Sequence, residues 1–175
     1  EYTMKRLENK TAVITGSTSG IGAACARLFA QNGASVVISG RNKEAGCALQ
    51  TELSQLGGTA LYVPCDVSDE RQIEALITKT IDAYGKLDIL MNNAGVFFPS
   101  VELDRLKQVE WETTFRVNLD AYLLSIKYAR PHLSSSHGCI VNIASIAGLH
   151  SYVTGRSYAY STSKAAVIQL SQMMA

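Results

Sequence analysis

Tyr160 and Lys164, in the stretch YAYSTSKAAV from Tyr158 to Val167, stand four positions apart. On a helix that spacing sets a phenol and an ammonium on one face, about one turn from each other. An unperturbed tyrosine, with a pKa of about 10, is a poor base near neutrality, but a neighbouring positive charge favours the phenolate. Proton exchange with an alcohol or carbonyl oxygen then becomes feasible. The spacing alone is a weak signal in a chain with eight tyrosines, where Tyr152 and Arg156 form a near-decoy. Its setting strengthens it, because CIVNIAS upstream reads as a strand that delivers Ser145 just past its end.

A second chemical signal is TGSTSGIG, Thr15 to Gly22, which falls between the β-branched run TAVIT and the helical pattern IGAACARLFAQNG. A turn in that position aims free N–H groups and the positive end of a helix outward. Glycines there remove the Cβ atoms that would keep a pyrophosphate from the backbone. The plainer reading is a glycine-bearing turn needed only for packing. The spacing Gly16-x3-Gly20-x-Gly22 departs from the G-x-G-x-x-G of the commonest dinucleotide fingerprint. It resembles the short-chain dehydrogenase/reductase family, whose first turn reads TGxxxGxG.

The resemblance covers essentially all of residues 7–175. Within the turn it implies cofactor contacts from Gly16, Ser17, Thr18, Ser19, Gly20, Ile21 and Gly22. Asp66 and Val67 in CDVSD match the family residues that hold the adenine ring, and Asp66 also suits a turn or cap. NNAG, Asn92 to Gly95, matches the tetrapeptide that lines the cofactor cleft, with Asn93, Ala94 and Gly95 as expected contacts. Asn118 matches the asparagine of a pattern that continues through Leu119, Lys127 and Pro131, and the resemblance gives it a share in a proton path to the lysine.

By the same resemblance, Ser145 bonds the substrate oxygen, Tyr160 exchanges the proton, and Lys164 binds ribose hydroxyls and lowers the tyrosine pKa. The implied reaction transfers a hydride between nicotinamide and a carbonyl or secondary alcohol. Gly40 stands where NAD-preferring relatives carry aspartate, and Arg41 follows it; an arginine forks onto a 2′-phosphate that a carboxylate would oppose. NADP(H) is therefore expected in preference to NAD(H), with NAD(H) the alternative.

The elements that position these residues alternate along the chain. TAVIT, SVVISG, TALYVPCDV, LDILMNNAG and CIVNIAS read as strands separated by helical patterns, and their nearly continuous apolar runs call for cover on both faces. That predicts a doubly wound parallel α/β sheet, Rossmann-like, with helices on both faces. Helices are expected from Lys43 to Leu56 and from Asp69 to Tyr84, the latter with Ser68 as N-cap. A long one should run from about Leu103 to near Pro131, followed by a turn over Ser134 to Ser136.

Length and pattern suggest one domain over residues 4–175, with Met4 a candidate start. The chain stops in helical pattern at QLSQMMA, so the final strands of the family fold are expected to be missing. The alternative to an enzyme is then a truncated, non-catalytic dinucleotide-binding or interaction protein.

With 47% hydrophobic and 18% charged residues and a formal net charge of +1, nothing in the composition draws the chain to nucleic acid or to an anionic membrane. Cys25, Cys47, Cys65 and Cys139 lie far apart with no CxxC, so reduced thiols in a cytoplasmic protein are expected. No metal site is expected, since His132, His137 and His150 lack ligand spacing. Phe97, Phe98 and Tyr152 are candidate pocket walls, and against the family it resembles the interval from Ser145 to Tyr160 is longer, so Gly155 and Arg156 are candidates for a small insertion that reshapes the substrate entrance. The expected partners are a small carbonyl or alcohol substrate and further copies of the chain, as a homodimer or homotetramer.

Overall fold

A computed structural model describes residues 5–99, 102–150 and 157–175. Met4, Tyr152, Gly155 and Arg156 lie outside the described residues. The strands are β1 (Thr11–Ile14), β2 (Ser35–Gly40), β3 (Thr59–Pro64), β4 (Ile89–Asn92) and β5 (Cys139–Asn142). Between and after them come α1 (Gly20–Gln31), α2 (Lys43–Gln55), α3 (Glu70–Tyr84), α4 (Gln108–Phe115), α5 (Ala121–Ser136) and α6 (Tyr158–Met174). The sheet is parallel in the order β3-β2-β1-β4-β5.

Period-two alternation sends Val13, Val37 and Leu90 to the face covered by α3 and α5. Ile14, Val36, Ile38 and Met91 go to the face covered by α1 and α2. Both faces of each central strand are therefore apolar, which is why these strands lack an amphipathic pattern in the sequence. The order reverses between β1 and β4, whose C-terminal ends part to open a crevice.

Three local expectations change. The N-cap of α3 is Asp69, whose carboxylate accepts from the Arg71 N–H. Ser68 instead closes a turn on Asp66, donating both its N–H and its hydroxyl to that carboxylate. The long helix passes through Pro131 and ends at Ser136, because Leu133 is drawn into the core and Ser136 donates to the Leu87 carbonyl. Those tertiary contacts outweigh the single backbone bond that proline forgoes. The turn over Ser134 to Ser136 is accordingly the last turn of α5, and His137, with φ of 51°, makes the actual reversal.

Between α4 and α5 the helix widens into one π turn, Arg116–Asp120, with Asn118 inside it. Such widened turns recur at functional sites because they re-aim a side chain without ending the helix.

Candidate active site

The glycines of the first turn do different jobs. Gly16 has φ of +64°, and a Cβ there would stand 2.7 Å from the Ala94 Cα, so the turn and the segment after β4 touch through backbone. A Cβ on Gly22 would come within 2.5 Å of the Gly16 carbonyl oxygen and 2.6 Å of the Asn93 amide nitrogen. Gly22 is thus a packing contact and stands back from the cleft. Gly20, with φ of +53°, meets nothing within 4 Å and leaves the mouth of α1 open.

The first bond of α1 runs from the Ala23 N–H to the Ser19 carbonyl, so the amides of Gly20, Ile21 and Gly22 have no partner within the helix. Ser19 makes no side-chain cap, and no acidic residue occupies the first turn. Ser17 departs from expectation. Fully buried, its hydroxyl donates to the Ile14 carbonyl at 2.7 Å and accepts from the Ser39 N–H at 2.8 Å, stitching the turn to β2 and facing away from the cleft.

A cleft of about 360 Å3 runs across the C-terminal ends of the strands. Its walls are Gly16 and Thr18 to Ile21 on one side, Gly40, Arg41 and Cys65 to Val67 at one end, and Asn93 to Val96 with Val117 along the other side. Arg41 is exposed there and has no acidic partner among the described residues. A Cβ at Gly40 would lie 2.8 Å from the Thr18 side chain, so the glycine-rich turn and the Arg41 turn are in contact. Asp66 lines the same end while holding Ser68, so its turn role and its cleft position coexist.

Thr15 organises the far wall, a task its sequence position did not reveal. Its buried hydroxyl accepts from the Asn93 and Ala94 N–H groups, at 3.0 and 3.2 Å. The Asn93 side-chain amide in turn donates to the Thr15 and Gly16 carbonyls. Asn92, at the end of β4, reaches sideways to Asn142 of β5.

Lys164 is 3% exposed. Its ammonium donates to the Ile143 carbonyl at 2.6 Å and lies 3.4 Å from the Tyr122 hydroxyl. It sits 5.2 Å from the Tyr122 ring centre and 5.8 Å from that of Tyr160. Burial pulls Lys164 down to about 8 and pushes the Tyr122 phenol up, with Tyr160 adding to the latter. Lys164 and Tyr160 do share a helix face, and the cation lies beside the phenol ring. Tyr122 is the residue that motif reasoning missed. It reaches Lys164 from α5, 42 residues away in the chain, so no local spacing marked it.

The Tyr160 ring meets the Phe97 ring edge to face, with the ring centres 5.2 Å apart. Asn118, fully buried, accepts from the Val96 N–H and spends both amide hydrogens on the Val96 carbonyl and the Ser163 hydroxyl. Its side chain clamps the cleft wall to α6. Ser145 caps the short turn Ile146–Gly148 by accepting from the Ala147 N–H. That turn rests on α6, where a Cβ at Gly148 would meet the Lys164 carbonyl carbon at 2.7 Å.

A parallel sheet with a glycine-rich turn at its switch point, and a tyrosine–lysine pair whose ammonium lies behind the Gly95 wall of the cleft, has counterparts among known proteins. The sequence pattern of the short chain dehydrogenase family matches residues 10–175. The chain is 35% identical over 174 residues to a 3beta-hydroxysteroid dehydrogenase of Mediterraneibacter gnavus, covering 99% of this chain and 62% of that protein. It is 40% identical over 163 residues to tropinone reductase-like 2 of Erythroxylum coca, covering 91% and 58%.

A crystal structure of a short-chain dehydrogenase/reductase of unknown function from Caenorhabditis elegans, solved with cofactor, superposes with a TM-score of 0.90 at 34% identity. The match covers 97% of this chain and 64% of that one. The chain therefore belongs to the short chain dehydrogenase family. It spans less than two thirds of the length of these relatives.

Proposed function

We propose that residues 4–175 form the dinucleotide-binding and catalytic part of an NADP-dependent oxidoreductase that interconverts a secondary alcohol and a carbonyl compound. The observation that carries this reading is the buried Lys164 ammonium beside the Tyr160 ring, next to a cleft whose floor is the open mouth of α1. The residues present fit the cofactor. Gly20 leaves space before helix amides that have no partner within the helix, and Arg41, which has no acidic partner among the described residues, brings its cation to the end of the cleft where β2 finishes. Gly40 also fits, since a Cβ in its place would stand 2.8 Å from the Thr18 side chain, which would have to turn aside.

The nicotinamide, when bound, gives or takes the hydride. The chain's own part is proton handling and placement. Tyr160 passes a proton to the substrate oxygen in reduction and removes it in oxidation. Ser145, held at the end of β5, hydrogen-bonds the same oxygen, and Lys164 supplies positive charge beside the phenol while Ile143 and Tyr122 hold its ammonium. Asn118 keeps the cleft wall and α6 in fixed relation through Val96 and Ser163. Relatives named for hydroxysteroid and tropinone chemistry support an alcohol or carbonyl on a ring carbon as the substrate class.

The test is Tyr160→Phe in the native protein, assayed against a panel of cyclic ketones and alcohols with both cofactors. Turnover should fall at least about 100-fold, as expected when a general acid–base is removed, with NADPH affinity little changed. Retained turnover would remove the assignment. A second arm titrates NADPH and NADH by fluorescence in wild type and Arg41→Ala, where the variant should lose the preference for NADPH.

A further inference from the structure

Tyr62 lies in the middle of β3, opposite Ile38 of β2, with its ring on the face covered by α2. The ring fits into α2 at Gly46, where a Cβ would overlap it at 2.2 Å, so glycine is required for the approach. From that notch the Tyr62 hydroxyl donates to the Gly40 carbonyl at 2.8 Å. The only other bond to that carbonyl among the described residues is the long one, 3.3 Å, from the Cys65 N–H. Pro64, which faces Gly40 in the register, has no N–H to offer. The end of β2 is therefore weakly held by its ladder and firmly held by a phenol from the neighbouring strand.

Arg41 follows directly, and Asn42 after it caps α2 by accepting from the Ala45 N–H at 3.0 Å. The arginine's backbone is thus fixed on both sides, with Thr18 packed over Gly40 as a third restraint. We infer that Tyr62 is a specificity-determining positioning residue, whose hydroxyl holds the Gly40 carbonyl and so sets the backbone from which Arg41 meets a 2′-phosphorylated cofactor. The inference presupposes that Arg41 selects NADP, as proposed. Burial, reinforced by Cys47 and Cys65, keeps the phenol above its ordinary range, so it remains a donor throughout the physiological range.

Tyr62→Phe tests this directly, because it keeps the ring in the Gly46 notch and removes only the hydroxyl. Loss of one neutral hydrogen bond of ordinary worth should weaken NADPH binding about threefold to tenfold. NADH binding should change less than about twofold, since the bond acts through Arg41. In the Arg41→Ala background the same substitution should cost nothing further, because the two residues act as one unit. Fluorescence titration of the native protein, its two single variants and the double variant reads all of this, with melting curves confirming the fold. A parallel loss for both cofactors, no loss for either, or additive losses in the double variant would overturn the role of Tyr62 and leave that of Arg41 intact. An Arg41→Ala protein that still prefers NADPH would overturn both.

Discussion

Lys164 carries a charge where water scarcely reaches, and that cost has a pH signature. Its unfolded counterpart titrates near 10.5 and the folded group near 8. Between those values the unfolded chain binds more protons, so the Lys164 contribution to stability rises with pH across the window and is lost as pH falls through about 8. The whole effect is worth roughly 3 kcal/mol at 1.36 kcal/mol per pKa unit. Cys65, raised to about 11 by burial, and Tyr122 oppose it at the alkaline end. The measurement is therefore the stability gap between wild type and Lys164→Met, from urea unfolding of the cofactor-free protein between pH 7.5 and 10. We expect the gap to move in favour of the wild type as pH rises; a gap independent of pH would show that the ammonium is solvated. Motif reasoning found Lys164 and Tyr160 from spacing and context, but not the Ile143 carbonyl or Tyr122, because contacts from the residue after β5 and from α5 have no mark in the local pattern around a helix.

Glycines at the mouth of α1 separate conformational need from packing need. Gly20→Ala faces open space and bears only the left-handed backbone penalty, about 1–2 kcal/mol. Gly22→Ala must push against the Gly16 carbonyl and the Asn93 amide, neither of which can move without breaking the Thr15 network. We expect it to lose most cofactor affinity as well as stability, an overpacking cost of about 1–3 kcal/mol or more. Equal melting temperatures and equal NADPH affinities in the two variants would contradict this division of labour. The turn was recognisable from its place between an apolar run and a helical pattern. Which glycine faces open space and which is packed was not, since the tight contact at Gly22 involves Asn93 from the segment after β4. The continuation of α5 past Pro131 has a similar cause: Leu133 is buried in the core and Ser136 bonds the Leu87 carbonyl ahead of β4, and a local breaker yields to them.

The molecule divides its sheet between two ends. At the C-terminal ends of the strands lie the cleft and its loose polar groups; at the N-terminal ends Asp88 ties the structure together. Its buried carboxylate accepts from the Thr11 N–H at 2.8 Å and pairs with Lys86 at 3.1 Å and Lys10 at 3.3 Å. Burial works to raise this carboxyl, but the Thr11 N–H and the two lysines outweigh it and hold it below the ordinary range. The stability it contributes is therefore present above the usual carboxylate pKa of about 3.9 and lost as pH falls through the lower folded value. Asp88→Asn should cost about 1–3 kcal/mol, the range for disturbing a buried hydrogen-bonded group, while leaving cofactor affinity unchanged. Chemical denaturation and cofactor titration on the same variant check both halves of the statement.

What could be read along the chain was whatever physical chemistry writes locally. Strand and helix periods, the glycine turn at a strand-to-helix junction, and the one-turn spacing of Tyr160 and Lys164 all depend on neighbours within a few residues. From these came the parallel sheet, the cleft at its carboxyl edge and the Tyr160–Lys164 pair. Folding decided the rest, because it concerns groups far apart in sequence: Thr15 gripping Asn93, Ser17 turned from the cleft toward Ser39, Asn118 clamping Val96 to Ser163, and Tyr62 reaching Gly40. A hydrogen bond between strands costs no pattern in either one, so it leaves no trace until the strands lie side by side.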